Sequence, residues 1–343
     1  MKSVLFYKKF GANLRCTACR HYCIIPKGSF GLCGARKNEK DKIVLVTNKK
    51  PCSLHLDPIE KKPLYHYLPN STTLSIGFFG CNFRCDFCQN ADISFTKGSA
   101  AETKSAQFKE VSPKKFVELA QKEKANSIAF TYNEPSISVE YNLEAILEAK
   151  KHSPALGTVY VSNGYTSIEQ ISALSKGKSR LDAINIDLKG FQESFYQKTC
   201  GSKLENVLNC IRDFHKAGVW LELTTLIIPG QNDSNEELHQ IAKWIADLDK
   251  NIPWHVSAFF PMHKMTHLPP TSAQKILDTV EIGKNAGLNF VYGGNINANN
   301  ISSTFCPKCN SLLIKRSGHD VGIVGLNFGK CINCGEKING VFE

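Results

Sequence analysis

From Thr73 onward the chain alternates between two kinds of apolar pattern. Short apolar runs at Thr73–Phe79, Ser127–Tyr132, Thr158–Ser162, Ala183–Leu188, Trp220–Ile228, His255–Phe260 and Asn289–Tyr292 read as strands. Between them, near 113–124, 137–151, 167–175, 203–217, 234–248 and 272–286, apolar residues recur at the spacing of one helix face. Start signals accompany several helices: Ser112 before Pro113, Ser234 with Glu237, and Thr271 ahead of the last run. Gly218 and Gly287 stand where helices end. Repeated strand–helix–strand units require parallel pairing with right-handed crossovers. The pattern predicts an α/β fold, a partial or complete (β/α) barrel of parallel strands, with a flat doubly wound sheet as the alternative. No G-x-G-x-x-G opens the first helix, so dinucleotide binding has no support.

Both flanks have a different texture. Residues 1–70 read as an N-terminal module: a cysteine-rich, turn-rich start, a short strand over Lys42–Thr47, and the connector LDPIEKKPLYHYLP, too broken by proline for a long helix. Residues 71–300 hold the barrel pattern. Residues 301–343 hold a C-x2-C, a glycine-spaced stretch of short strands and a second C-x2-C, the two-knuckle signature of a zinc ribbon.

Composition is that of an ordinary globular chain, with 42% hydrophobic and 21% charged residues. No apolar run reaches membrane-spanning length, and the N-terminal apolar stretch is too short for a secretory signal, so a cytoplasmic location with no membrane partner is expected. In that compartment fourteen cysteines point to metal rather than disulfides. They divide into Cys16, Cys19, Cys23 and Cys33; then Cys81, Cys85 and Cys88; then Cys306, Cys309, Cys331 and Cys334, with Cys52, Cys200 and Cys210 left over. Two closed sets of four flank one open set of three. The net charge of +11 raises an acidic partner such as nucleic acid, but the lysines are dispersed and no aromatic-plus-basic platform accompanies them. A solvated basic surface is the simpler reading.

The open set lies in GFFGCNFRCDFCQN, just past the first barrel strand, where α/β enzymes place reactive groups. Three thiolates hold three corners of a four-iron cluster and leave one iron open. A zinc knuckle is the alternative, but it wants a fourth ligand, and the nearest, Cys52, is on another segment. The other strand ends carry polar residues. Glu134 in FTYNEP suits an ammonium group or caps the next helix. Ser162 and Asn163 in YVSNGY suit a ribose or carboxylate, or form a plain turn. Asp187 and Lys189 in NIDLKGF share one side of a strand, and Lys189 suits a carboxylate. His255 begins the sixth strand; His263 follows its end and is the better placed of the two.

The three-then-two spacing of Cys81, Cys85 and Cys88 resembles the radical S-adenosylmethionine (SAM) superfamily. Together with DPIEKKPLYHYLP, FTYNEPS, INIDLKGF, LIIPGQND and CPKC…CINCG, it resembles the radical SAM enzyme of the AmmeMemoRadiSam system, related to pyruvate formate-lyase activating enzymes. The resemblance runs from about Cys16 to the C-terminus. It implies a partial barrel, a [4Fe-4S] cluster on the three cysteines, and Phe87 against the adenine. It also implies that Asn133 and Glu134 lie at the methionine amine, that Ser162, Asn163, Asp187 and Lys189 meet ribose and carboxylate, and that His263 lies on the substrate side. Activating enzymes carry a glycine pair where this chain has Tyr132-Asn133.

The expected activity is reductive cleavage of SAM to a 5′-deoxyadenosyl radical that abstracts hydrogen from a substrate. An electron donor such as flavodoxin or ferredoxin is implied; the substrate is left unidentified, with a protein among the candidates. A glycyl-radical-enzyme activase is one alternative; a zinc-ribbon protein that binds nucleic acid or modifies RNA is another. The C-terminal four cysteines are expected to bind zinc. The N-terminal four are expected to bind zinc or an iron–sulfur cluster, with zinc preferred as a staple for a module poor in large apolar groups.

Overall fold

The computed structural model describes residues 6–152, 156–298, 300–318 and 320–342; the first five residues of the N-terminal stretch read above lie outside them. Its centre is one eight-stranded sheet. The strands are β1 (Ser53–Pro58), β2 (Thr72–Gly77), β3 (Ser127–Phe130), β4 (Gly157–Ser162), β5 (Ala183–Asp187), β6 (Trp220–Ile227), β7 (Trp254–Ala258) and β8 (Val291–Gly294). Spatial order follows chain order, β2 to β8 run parallel, and β1 is an antiparallel edge. The ends β1 and β8 do not pair, so this is a partial barrel.

All seven strands and six helices expected from the pattern are present, within about two residues at their ends. Strand β1 was not expected. It is half-exposed, with Leu56 43% accessible, and its partner β2 supplies the order that its own pattern does not announce.

The helices bury the stripes that their periodicity marks. In Leu204–Lys216, Leu204, Val207, Leu208, Ile211 and Phe214 are buried. Burying such a side chain is worth roughly 1.5–3 kcal/mol. Ser112 and Ser234 accept backbone N–H bonds from Lys115 and Glu237 at 3.1 and 3.2 Å, as caps. The last helix is capped by Ser272, which accepts from Lys275. Thr271 instead ties two strand ends together, accepting from Phe259 N and donating to Ile227 O. Gly218 and Gly287 have φ of 69° and 95°, the left-handed geometry that ends a helix.

The N-terminal module is a small three-stranded sheet followed by a hairpin, Arg36–Glu39 with Lys42–Leu45. Arg36 fixes it to the barrel. Its buried guanidinium meets both Glu140 oxygens at 2.6 and 2.7 Å and donates to Ile137 O. At the other end of the chain, antiparallel strands over 304–323 form the ribbon sheet. The terminal segment returns to the barrel, where Val341 pairs with Tyr67 and exchanges backbone bonds with His66 and Leu68. Arg316 reaches over the Tyr65 ring to that residue's carbonyl.

No helix among the described residues is long and apolar enough to cross a membrane.

Candidate active site

A cavity of about 370 Å³ opens at the C-terminal ends of the parallel strands. Cys81, Cys85 and Cys88 form one wall, on the loop that leaves β2. Asn133 braces this loop: its side-chain amide donates to Gly80 O at 2.5 Å and to Phe78 O. Two N–H groups approach Cys81 Sγ, from Phe83 at 3.4 Å and Asn163 at 3.8 Å. Gly80, at the root of the loop, has φ of 98°, and a Cβ there would lie 2.7 Å from Cys33 O. Only glycine lets the N-terminal module come this close.

The remaining walls come from successive strands. Tyr132 and Asn133 follow β3, Asn163 follows β4, and Asp187 ends β5 with Lys189 just beyond. Thr224 and Leu226 come from β6, Ser257 from β7, and Asn295 follows β8. Lys189 Nζ lies 2.6 Å from Asp187 Oδ2 and 5.6 Å from the Phe87 ring centre. Burial would lower the Lys189 pKa, but the carboxylate of Asp187 and the sulfurs of Cys85 and Cys200 hold it well above the ordinary range. The lysine is therefore a fixed positive charge on the cavity wall.

Three expected residues lie away from the cavity lining. The Glu134 carboxylate is fully buried and turned inward. It accepts from Ser136 N, from the Ser162 hydroxyl and, at 2.8 Å, from Asn163 N. Burial raises its pKa against these bonds. Ser162 is occupied by the same carboxylate. His263 is half-buried against Phe95, with ring centres 4.6 Å apart. His255, the less favoured histidine, bonds Glu222 at 2.7 Å beside Tyr65.

Ser257 and Asn295 were not singled out from the sequence, Cys200 was left over from the cysteine sets, and Tyr132 was marked only as standing, with Asn133, where activating enzymes carry a glycine pair. Tyr132 adopts φ of 73°, a conformation strained for any residue but glycine. It is held by its hydroxyl bond to Asp57 at 3.0 Å and by Asn90, which donates to its carbonyl at 2.6 Å. Cys200 ends a π-helical turn that receives the cysteine loop: Arg84 N and Asp86 N donate to Cys200 O and Thr199 O. The neighbouring Cys200 thiol and burial push the Cys85 thiol well above the usual range.

The cysteine sets differ in spacing. Among the described residues, Cys306, Cys309, Cys331 and Cys334 are the one group of such side chains whose ligand atoms all lie within 4.8 Å of one another. Two of their sulfur pairs are 3.6 Å apart. A tetrahedral zinc site with bonds of about 2.3 Å puts its sulfurs ~3.8 Å apart, so this set fits a single metal ion. Hydrogen bonding, first to Ser311, lowers the Cys309 pKa while that of its neighbour Cys334 is raised, the behaviour of thiols close enough to share protons. Cys81, Cys85 and Cys88 do not come this close together, yet line one cavity, which fits a body larger than one ion.

A larger cavity, about 1040 Å³, lies at the opposite end of the strands, lined by Tyr67, Asn126, Gly157, Asp182 and Trp220 among others. It holds none of the cysteines, and catalytic groups of such folds sit at the C-terminal face.

A family model described as the radical SAM superfamily matches residues 75–245. The chain is 36% identical over 347 residues to an uncharacterised protein of Methanocaldococcus jannaschii, covering 99% of each. It is 25% identical over 226 residues to another protein of that organism, provisionally named a glycyl-radical enzyme activating enzyme, covering 64% of this chain and 80% of that one. The structure of Streptococcus suis SuiB bound to S-adenosylmethionine superposes with a TM-score of 0.50 at 12% identity, over 71% of this chain and 53% of that one. At that identity the likeness is one of fold. The chain belongs to the radical SAM superfamily.

Proposed function

We propose that Cys81, Cys85 and Cys88 hold a [4Fe-4S] cluster, that SAM binds beside it, and that the chain abstracts a hydrogen atom from a substrate, as an enzyme of the AmmeMemoRadiSam type. The observation that carries this reading is the meeting of three thiols, the Lys189–Asp187 pair, Phe87 and Asn163 in one cavity. When bound, the cluster and SAM supply one-electron cleavage of the sulfonium, giving methionine and a 5′-deoxyadenosyl radical.

The residues of the chain hold and orient. Lys189 binds the methionine carboxylate, and its pairing with Asp187 keeps the ammonium aimed at the cavity. Phe87 offers an aromatic face to the adenine. The Asn163 side-chain oxygen, which has no partner in the protein, accepts from the ribose, and Glu134 with Ser162 fixes the Asn163 backbone from behind. Tyr132 and Asn133 close the wall around the methionine amine. The electron comes from a flavodoxin- or ferredoxin-class donor.

The match to a protein provisionally named an activating enzyme favours a protein substrate. A glycyl-radical activase is the second reading. Tyr132 supports it in part: its backbone keeps the left-handed form natural to glycine, while its side chain is tied back to Asp57.

Anaerobic protein incubated with SAM and dithionite should release 5′-deoxyadenosine and methionine in equal amounts. Replacing Cys81, Cys85 and Cys88 together by Ala should abolish both products. Product formation by that variant would defeat the reading.

A further inference from the structure

Cys16, Cys19, Cys23 and Cys33 surround one enclosed cavity beneath the N-terminal module. We infer that they hold a second iron–sulfur cluster, placed to pass one electron to the cluster site on Cys81, Cys85 and Cys88. The iron site stands independently; only the electron relay rests on the radical reading above.

Spacing is the first argument. No three of these thiols come within 4.8 Å of one another, although all four line the same cavity. The C-terminal set shows what a single-ion spacing looks like in this molecule, with two of its sulfur pairs 3.6 Å apart and all within 4.8 Å. Exclusion of water is the second. Besides the thiols, Ala18, Ile25, Leu32 and Ile137 line the pocket, and its free space of about 10 Å³ is too little to hold a water. Spacing between the sulfurs is what favours a cluster over the zinc staple preferred from the sequence.

Two donors are the third argument. Arg36 Nε and Asn82 Nδ2 are buried without a partner, and both residues line the cavity. Arg36 is 2% and Asn82 4% exposed, so water does not satisfy them. Unpaired buried N–H groups are costly, and a thiolate-bound cluster with its sulfides offers the negative acceptors they lack.

Position gives the site its role. Asn82 lines this cavity, while its neighbour Cys81 lines the SAM cavity. His21, also in the N-terminal wall, bonds Asn82 O at 2.9 Å. On the outer side Leu32 lines the pocket and is 62% exposed, so the site is one side chain from solvent. One electron from a flavodoxin- or ferredoxin-class donor reduces the N-terminal cluster. That cluster is reoxidised when the electron moves on to the inner site, with no proton or bond change.

The test uses the C81A/C85A/C88A chain, whose N-terminal set is intact. After anaerobic reconstitution with iron and sulfide, it should hold about four irons and one zinc, with an electron paramagnetic resonance signal on reduction. Two zincs and no iron would overturn the inference. In the otherwise native chain, C16S/C19S should lower iron from roughly eight to roughly four per chain. It should also raise the ratio of dithionite-driven to donor-driven SAM cleavage about tenfold. An unchanged ratio would sink the relay. If the native chain cleaves no SAM while the triple-alanine chain keeps its four irons, the radical reading fails and the second site stands.

Discussion

The side-chain amide of Asn163 donates to the side-chain oxygen of Asn82 at 2.7 Å, joining the end of β4 to the loop that carries the three cysteines. The same amide approaches Cys81 Sγ at 3.8 Å. Groups that orient a metal ligand from outside its first shell typically contribute 10–100-fold. Asn163→Ala should therefore lower the rate of 5′-deoxyadenosine formation by about 10–100-fold with the iron content retained. An unchanged rate at full iron loading would show that this amide positions nothing.

Lys189 is a fixed cation on the cavity wall. A hydrogen bond from a charged group is worth about 1.5–3 kcal/mol, so Lys189→Ala should weaken SAM binding by roughly 10–100-fold. The variant also leaves Asp187 facing the cavity unpaired, which repels the methionine carboxylate. Calorimetric titration of cluster-loaded protein reads the change directly. Native affinity in the variant would remove Lys189 from the site.

The four ribbon thiols lie close enough together to hold one ion, which would stabilise a module too small to fold on packing alone. Cys331→Ser should lose one zinc per chain and raise hydrogen exchange across residues 303–342, while iron and its optical absorbance persist. Loss of iron in parallel would show that the two regions do not fold separately.

His66 is fully buried, bonded to Tyr292 OH and Asn339 O at 2.6 and 2.7 Å. Burial lowers its pKa from the usual 6.5 to about 4. The unfolded chain thus takes up this proton at a higher pH than the folded one. The contribution of His66 is complete above about 6.5 and is lost as pH falls toward 4, amounting to about 3 kcal/mol. Denaturant midpoints should fall over that window, and His66→Gln should flatten the decline. Identical pH slopes in both proteins would contradict this.

The barrel was legible because seven buried strands and six one-sided helices each write their period into the chain. Strand β1 was not, since its side chains are half-exposed and its order comes from β2. The cysteine triplet was legible as a site because spacing along one loop carries it. Strand-end polarity was less informative. It marked Asn163, Asp187 and Lys189, which line the cavity, and equally Glu134 and Ser162, which turn away to support them. Tyr132 was marked only by its departure from the glycine pair of activating enzymes, because its place in the wall depends on a left-handed backbone that no local pattern announces. Close and wide cysteine sets look alike as cysteine counts and separate only when the distances between sulfurs are known.

Gly80 leaves no gap between the root of the 81–88 loop and the carbonyl of Cys33. The two cysteine-bearing segments are consequently one mechanical unit, sharing a backbone seam rather than a flexible joint. Any event that loosens residues 16–35, such as oxidation of a thiol, displaces the support on which the inner loop rests. Damage at the N-terminal pocket would carry to the cavity behind it, so the two would lose their shape together.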